Sequence, residues 1–189
     1  MNPLHEAARE LLTFLDESGW KACLIGGLVV QRWGEPRLTH DVDVAVLTAY
    51  GEEVPVINAL LGTFRSRRDD ARDFALANRV LLLRASNGVD LDVSLAAFDF
   101  EREVLDRATT FEFEPGLHLR TCSADDLIVY KLVAGRPRDL GDVESTVLRQ
   151  ATGLDADRVR RWIAIFAELK EDPDLGRPFE EALRRVARR

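Results

Sequence analysis

Apolar residues at Leu4, Ala7, Ala8, Leu11, Leu12 and Leu15 recur at the three- and four-residue spacing of one helix face. Asn2 as a cap and Pro3 at the first helical position start this helix, and Ser18-Gly19 stops it near Glu17. Residues 21–25 read as a short strand that enters Gly26-Gly27, and residues 28–33 have the length of about two helical turns. Residues 41–46 alternate strictly, with Asp41, Asp43 and Ala45 on one face and Val42, Val44 and Val46 on the other. The valines are the side predicted to meet the core. A helical period returns over residues 52–61, and the charged stretch 65–73 reads as a loop or a short irregular helix. Residues 79–85 and 89–95 flank Asn87-Gly88, the dipeptide suited to a type I′ turn, and are predicted to pair antiparallel. Asp90, Asp92 and Ser94 then share a face opposite Leu91, Val93 and Leu95.

Residues 100–107 suggest a short helix, and Pro115-Gly116 joins residues 111–113 and 117–119 in a second hairpin. Beyond it the pattern turns helical. Ser123 is a good N-cap with Asp125 and Asp126 in the first turn, opening a helix that ends near Gly135. Further helices are expected over residues 140–150, 155–169 and 177–188. The whole reads as an α/β (α+β) fold: a core over residues 1–120, with a small mixed sheet flanked by helices, and a helical region over residues 121–189 packed on it.

Composition narrows the class. Of 189 residues, 46% are hydrophobic, enough for a substantial core. The 26 basic and 33 acidic residues leave a net charge of -7, which argues against a general nucleic-acid coat. A local basic face remains compatible with phosphate binding, and residues 158–189 carry more basic than acidic side chains. Cys23 and Cys122 stand far apart without metal-ligand spacing, which argues against a structural zinc site. No basic, apolar leader opens the chain and no window approaches the roughly 20 apolar residues of a membrane span, so a cytoplasmic protein without a membrane partner is expected.

Candidate chemistry centres on Asp41 and Asp43. Carboxylates two residues apart on a strand project the same way, about 6 to 7 Å from each other, and suit one or two divalent cations. A third carboxylate from a neighbouring strand closes such a site, and alternation does not choose between Asp90 and Asp92. Oxygen ligands without Cys or clustered His favour Mg2+ or Mn2+ over zinc. Such sites commonly serve phosphoryl or nucleotidyl transfer. A glycine pair opening a helix offers backbone N–H groups to phosphates.

The order Ile25-Gly26-Gly27, Thr39-His40-Asp41-Val42-Asp43-Val44, Val89-Asp90-Leu91-Asp92-Val93 resembles the nucleotidyltransferase superfamily, the DNA polymerase beta-like fold. The stretch 123–132 together with 135–142 looks more specifically like the AbiEii-type branch of bacterial nucleotidyltransferases, some of them toxins of toxin-antitoxin pairs. The resemblance implies that Asp41 and Asp43 bind the metals and that Gly26 and Gly27 cradle the phosphates of a nucleoside triphosphate. The family's third aspartate precedes a strand end followed by a helix, which Asp92 fits better than Asp90; there it ligates a metal and assists deprotonation of the acceptor hydroxyl. Lys131 is implied to touch the triphosphate, Asp142 to orient Lys131 or the acceptor, and Arg37 and Thr39 to contact phosphate. The activity implied is transfer of a nucleoside monophosphate to a hydroxyl acceptor, with RNA such as a tRNA end, and an antitoxin protein, as partners.

Each residue also has a plainer reading. Asp41 and Asp43 suit a solvated sheet face, and Gly26-Gly27 suits a tight turn needing positive φ. Lys131 suits a lysine whose stem packs on apolar surface, and Asp139 and Asp142 suit first-turn acids of a helix. Rival functions are a non-catalytic nucleotide- or protein-binding module of the same fold, and a small-molecule modifier such as an antibiotic nucleotidyltransferase.

Overall fold

The computed structural model describes residues 2–188 and divides the chain into two compact units. Among the described residues the first comprises 2–28 and 38–122, the second 29–37 and 123–188.

The first unit is built on a seven-stranded mixed sheet of order β3-β4-β5-β2-β1-β7-β6. Its strands are β1 (Ala22–Ile25), β2 (Asp41–Leu47), β3 (Arg65–Ser66), β4 (Val80–Arg84), β5 (Asp90–Ala96), β6 (Thr109–Glu114) and β7 (Leu117–Thr121). β2 runs parallel to β5 and β1 parallel to β7, while the remaining neighbours are antiparallel. The alternation read from sequence is realised. Val42, Val44 and Val46 are buried and lie in register with Leu91, Val93 and Leu95, whereas Asp41, Asp43, Asp90 and Asp92 are only partly covered. Burying each such valine or leucine contributes about 1.5–3 kcal/mol, so the apolar face sets the pairing and the aspartates must take the other side. Helix α1 (Pro3–Glu17) is capped as expected, the Asn2 side chain accepting from the Leu4 N–H at 3.0 Å. It packs on the sheet through Ala7, Ala8, Leu11 and Leu15. α3 (Glu53–Thr63), α4 (Ala71–Asn78) and α5 (Asp99–Arg107) complete the unit.

Two expectations change. The β4–β5 hairpin does not turn through type I′, because that turn needs positive φ at both central residues and only Gly88 has it, at +87°. Gly88 N–H donates to the Ala85 carbonyl and Ala85 N–H to the Val89 carbonyl, closing a three-residue loop over Ser86, Asn87 and Gly88. Register decides this. A two-residue loop would set Arg84 opposite Leu91, whereas the observed pairing of Leu83 with Leu91 and Arg84 with Asp90 keeps apolar residues on one face. The charged stretch 65–73, expected as loop or irregular helix, opens with the edge strand β3, then runs as a loop over residues 67–70 and enters α4.

The second unit is helical. It takes α6 (Ala124–Ala134), α7 (Pro137–Gln150), α8 (Ala156–Lys170) and α9 (Arg177–Val186), with the later part of α2 (Gly26–Trp33). Ser123 Oγ caps α6 by accepting from Asp126 N–H, and Gly135 ends it in the left-handed conformation. The close approach of residues 29–37 to α7 requires glycine at position 34, where a Cβ would lie 2.7 Å from Ser145 Oγ. Arg158 and Asp126 form an ion pair inside this unit at 2.8 Å, both side chains buried. Among the described residues no helix is long and apolar enough to cross a membrane.

Candidate active site

Strand β1 is buried throughout and pairs with β2 so that Ile25 faces Asp43. The chain then turns at Gly26, with φ +69°, directly against that aspartate: a Cβ at Gly26 would fall 2.0 Å from Asp43 Oδ2. No side chain fits there. Gly27 N–H donates to the same oxygen at 3.2 Å, so the glycine pair holds the Asp43 carboxylate. Thr39, buried just before β2, donates its hydroxyl to Asp41 Oδ1 at 2.8 Å.

Parallel pairing of β2 and β5 sets Asp41 beside Asp90 and Asp43 beside Asp92. Asp41, Asp43 and Asp92 each offer an oxygen, all within 4.8 Å of one another. Asp90 lies outside that group. Its two oxygens are taken by guanidiniums, Oδ1 by Arg84 at 3.0 Å and Oδ2 by Arg67 at 2.8 Å. Arg67 also pairs with Asp92, while its Nε–H is buried without a partner.

The two neighbouring carboxyls respond in opposite directions. Asp92 is pushed above the usual aspartate range, first by burial and also by the charges of Asp41 and Asp90, against the pull of Arg67. For Asp90 burial acts the same way, but hydrogen bonds from Arg84 and Arg67 outweigh it and hold the carboxyl low. Negative charge at Asp92 is therefore under-compensated. Three converging, half-exposed oxygen donors with such an excess fit a hard divalent cation and can hold Mg2+ or Mn2+.

Arg37, Lys131 and Asp142 come together in the second unit. Arg37 grips Asp142 with two hydrogen bonds of 2.6 Å, and Lys131 Nζ lies 2.9 Å from both Asp142 and Asp139. Arg136 reaches the other Asp139 oxygen at 2.6 Å. Both carboxyls sit below the usual range: burial opposes this, and the hydrogen bonds from Arg37 and Lys131 to Asp142, and from Lys131 and Arg136 to Asp139, overcome it. Sequence reasoning did not single out Arg67, which falls in the charged stretch 65–73. The only hint was that this stretch had to border the strand preceding Asp90 and Asp92.

Residues 2–175 match the family model described as "Nucleotidyltransferase of unknown function (DUF6036)". The chain belongs to this nucleotidyltransferase family. No curated protein matches it. Among solved structures, the antibiotic-resistance factor ANT(2'')-Ia in solution is similar with a TM-score of 0.57 at 16% identity, over 88% of this chain and 92% of that one. The crystal structure of ANT(2'')-Ia with adenylyl-2''-tobramycin gives 0.54 at 17%, over 88% and 98%. An antigenic nucleotidyltransferase-like protein from Paracoccidioides brasiliensis gives 0.53 at 15%, over 94% and 92%. These likenesses show the nucleotidyltransferase fold, a mixed α/β sheet with flanking helices.

Proposed function

We propose that this family member is a divalent-metal-dependent enzyme that moves a nucleoside monophosphate from a nucleoside triphosphate to a hydroxyl acceptor. The observation that carries the reading is the convergence of Asp41, Asp43 and Asp92 beside a glycine turn that admits no side chain. In this reading the three aspartates hold Mg2+ or Mn2+. A bound divalent ion neutralises triphosphate charge and makes the acceptor hydroxyl more acidic. The acceptor oxygen bonds to the α-phosphorus, the bond from that phosphorus to the pyrophosphate oxygen breaks, and the hydroxyl proton passes to Asp92. Gly26 and Gly27 present backbone to the phosphates, and Thr39 orients Asp41 through its 2.8 Å hydrogen bond. The family resemblance assigns Arg37 and Lys131 to the phosphates and Asp142 to their orientation; Asp142 accepts two hydrogen bonds from Arg37 and lies 2.9 Å from Lys131 Nζ.

The acceptor is the finer question. ANT(2'')-Ia has been crystallised with adenylyl-2''-tobramycin, which supports a small hydroxylated acceptor as one reading. The AbiEii-type resemblance of residues 123–142 supports an RNA acceptor such as a tRNA end, and an antitoxin protein as partner.

The test is a titration of Mn2+ or Mg2+ with each labelled nucleoside triphosphate, on wild type and Asp43→Asn, following binding by calorimetry and transfer of label to total RNA. Metal-dependent binding and transfer are expected in wild type and lost in the variant. Equal metal affinity in the two proteins would remove the aspartate site and the reading with it.

A further inference from the structure

The sheet register places Arg65 of β3 opposite Arg84 of β4, Arg84 opposite Asp90 of β5, and Asp90 beside Asp41 of β2. Residues paired across neighbouring strands project to the same face, so the two arginines extend the row that ends in the carboxylate cluster. With strands about 4.8 Å apart, the Arg84 backbone lies roughly 10 Å, and that of Arg65 roughly 15 Å, from Asp41. Like charges set directly opposite each other destabilise a sheet. Here the cost is only partly relieved. Asp90 is the carboxylate next to Arg84 on the row, and it is shared between Arg84 and Arg67. Arg65 is exposed and no ion pair reaches it among the described residues.

We propose that Arg65 and Arg84 form a phosphate-binding row that receives an anionic, phosphate-bearing acceptor beside the transfer site, with Asp90 holding Arg84 in position. The proposal rests on the reading of Asp41, Asp43 and Asp92 as that site. Planar guanidiniums bind phosphate through paired, charge-assisted hydrogen bonds. A ligand phosphate supplies the counter-charge that the like-charge pair lacks. The same row repels a polycationic acceptor. A purely structural alternative exists, since arginines on a short edge strand guard against pairing with other chains.

The experiment compares wild type with the double variant Arg65→Ser, Arg84→Gln. A fluorescein-labelled single-stranded RNA 12-mer is followed by anisotropy across a salt series, and Mn2+-ATP by calorimetry. The expected result is RNA affinity about ten-fold weaker, with the slope of log affinity against log salt smaller by about 1.4, from two phosphate contacts at about 0.7 each. Mn2+-ATP affinity stays within two-fold. Loss of Mn2+-ATP affinity with unchanged RNA binding assigns the row to the triphosphate and overturns the acceptor role. Unchanged binding of both, with new self-association of the variant, overturns the row in favour of edge protection. Wild type that binds no RNA also overturns it. RNA affinity is read without turnover, so it stands apart from the Asp43→Asn comparison that tests the transfer site. Each single variant repeats the measurement should the double variant not fold; relief of the like-charge pair leads us to expect an unchanged or slightly raised melting temperature.

Discussion

On the sheet, Asp41, Asp43 and Asp92 bring oxygens within 4.8 Å of one another at half-exposed positions. In the helical unit, Asp139 and Asp142 are buried, and each of their oxygens faces a cation of Lys131, Arg136 or Arg37. Burial disfavours charge in both places. In the helical unit the hydrogen bonds from cations win and the carboxyls are held low, whereas at Asp92 the single pairing with Arg67 loses to burial and to Asp41 and Asp90. A charge cluster that is internally matched lends its interactions to the fold. One left with excess negative charge is ready for a cation from outside.

The sharpest way to break this comparison is at Lys131. Lys131→Met leaves two buried carboxylates without their shared partner, and removing one member of a buried ion pair costs about 3–5 kcal/mol. Urea unfolding reads it, and a loss below about 1 kcal/mol would mean that the helical cluster is not matched as described. Gly26→Ala comes next. The new Cβ overlaps Asp43 Oδ2 and the residue must hold a left-handed φ, which alone costs about 1–2 kcal/mol. Loss of Mn2+-induced thermal stabilisation should accompany it, and retention of wild-type Mn2+ affinity would show that the turn does not set the Asp43 carboxylate.

Acid provides the third test. Asp139 and Asp142 have folded values below the usual carboxylate range, so the unfolded chain binds more protons and their contribution is complete above about pH 4. It disappears as pH falls through the folded values. Stability measured by urea between pH 5 and pH 3 should therefore drop less steeply in Asp142→Asn than in wild type, although the variant starts less stable. Equal slopes would exclude these groups as the source. The smallest effect belongs to Asp92, whose folded value is raised. Its contribution has the opposite sign: it is favourable below the unfolded value and lost as pH rises through the folded one. Without metal, Asp92→Asn should gain on the order of 0.5 kcal/mol at pH 7, after allowance for solvent screening, and the gain should vanish towards pH 4. A loss at pH 7 would show that the Arg67 pairing outweighs the crowding.

Much of the sheet was legible because its two-residue alternation is a strong signal. Val42, Val44 and Val46 could only be buried together, which left Asp41 and Asp43 on the opposite face. Ser123 and Gly135 marked the ends of α6 through their own capping chemistry. The edge strand β3 was not legible. It is two residues long, within a run of arginines and aspartates, and pairing with β4 makes it a strand where no pattern of its own does. Arg67 was hidden for the same reason. The turn at Asn87-Gly88 was misread because local preference favours two residues, while the facing of Leu83 with Leu91 demands three.

By itself the sequence determined the periodicities, the caps, the glycine pair and the side on which each aspartate stands, since all of these follow from neighbours within a few positions. Asp92 rather than Asp90 joining Asp41 and Asp43 was settled by tertiary structure, because both share a face and the guanidiniums that occupy Asp90 arrive from β4 and from the residue after β3. The grouping of residues 29–37 with residues 123–188 was settled there too, through contacts such as the Arg37 grip on Asp142, 105 positions away. No periodicity encodes a partner at that separation; it exists only once both segments are packed.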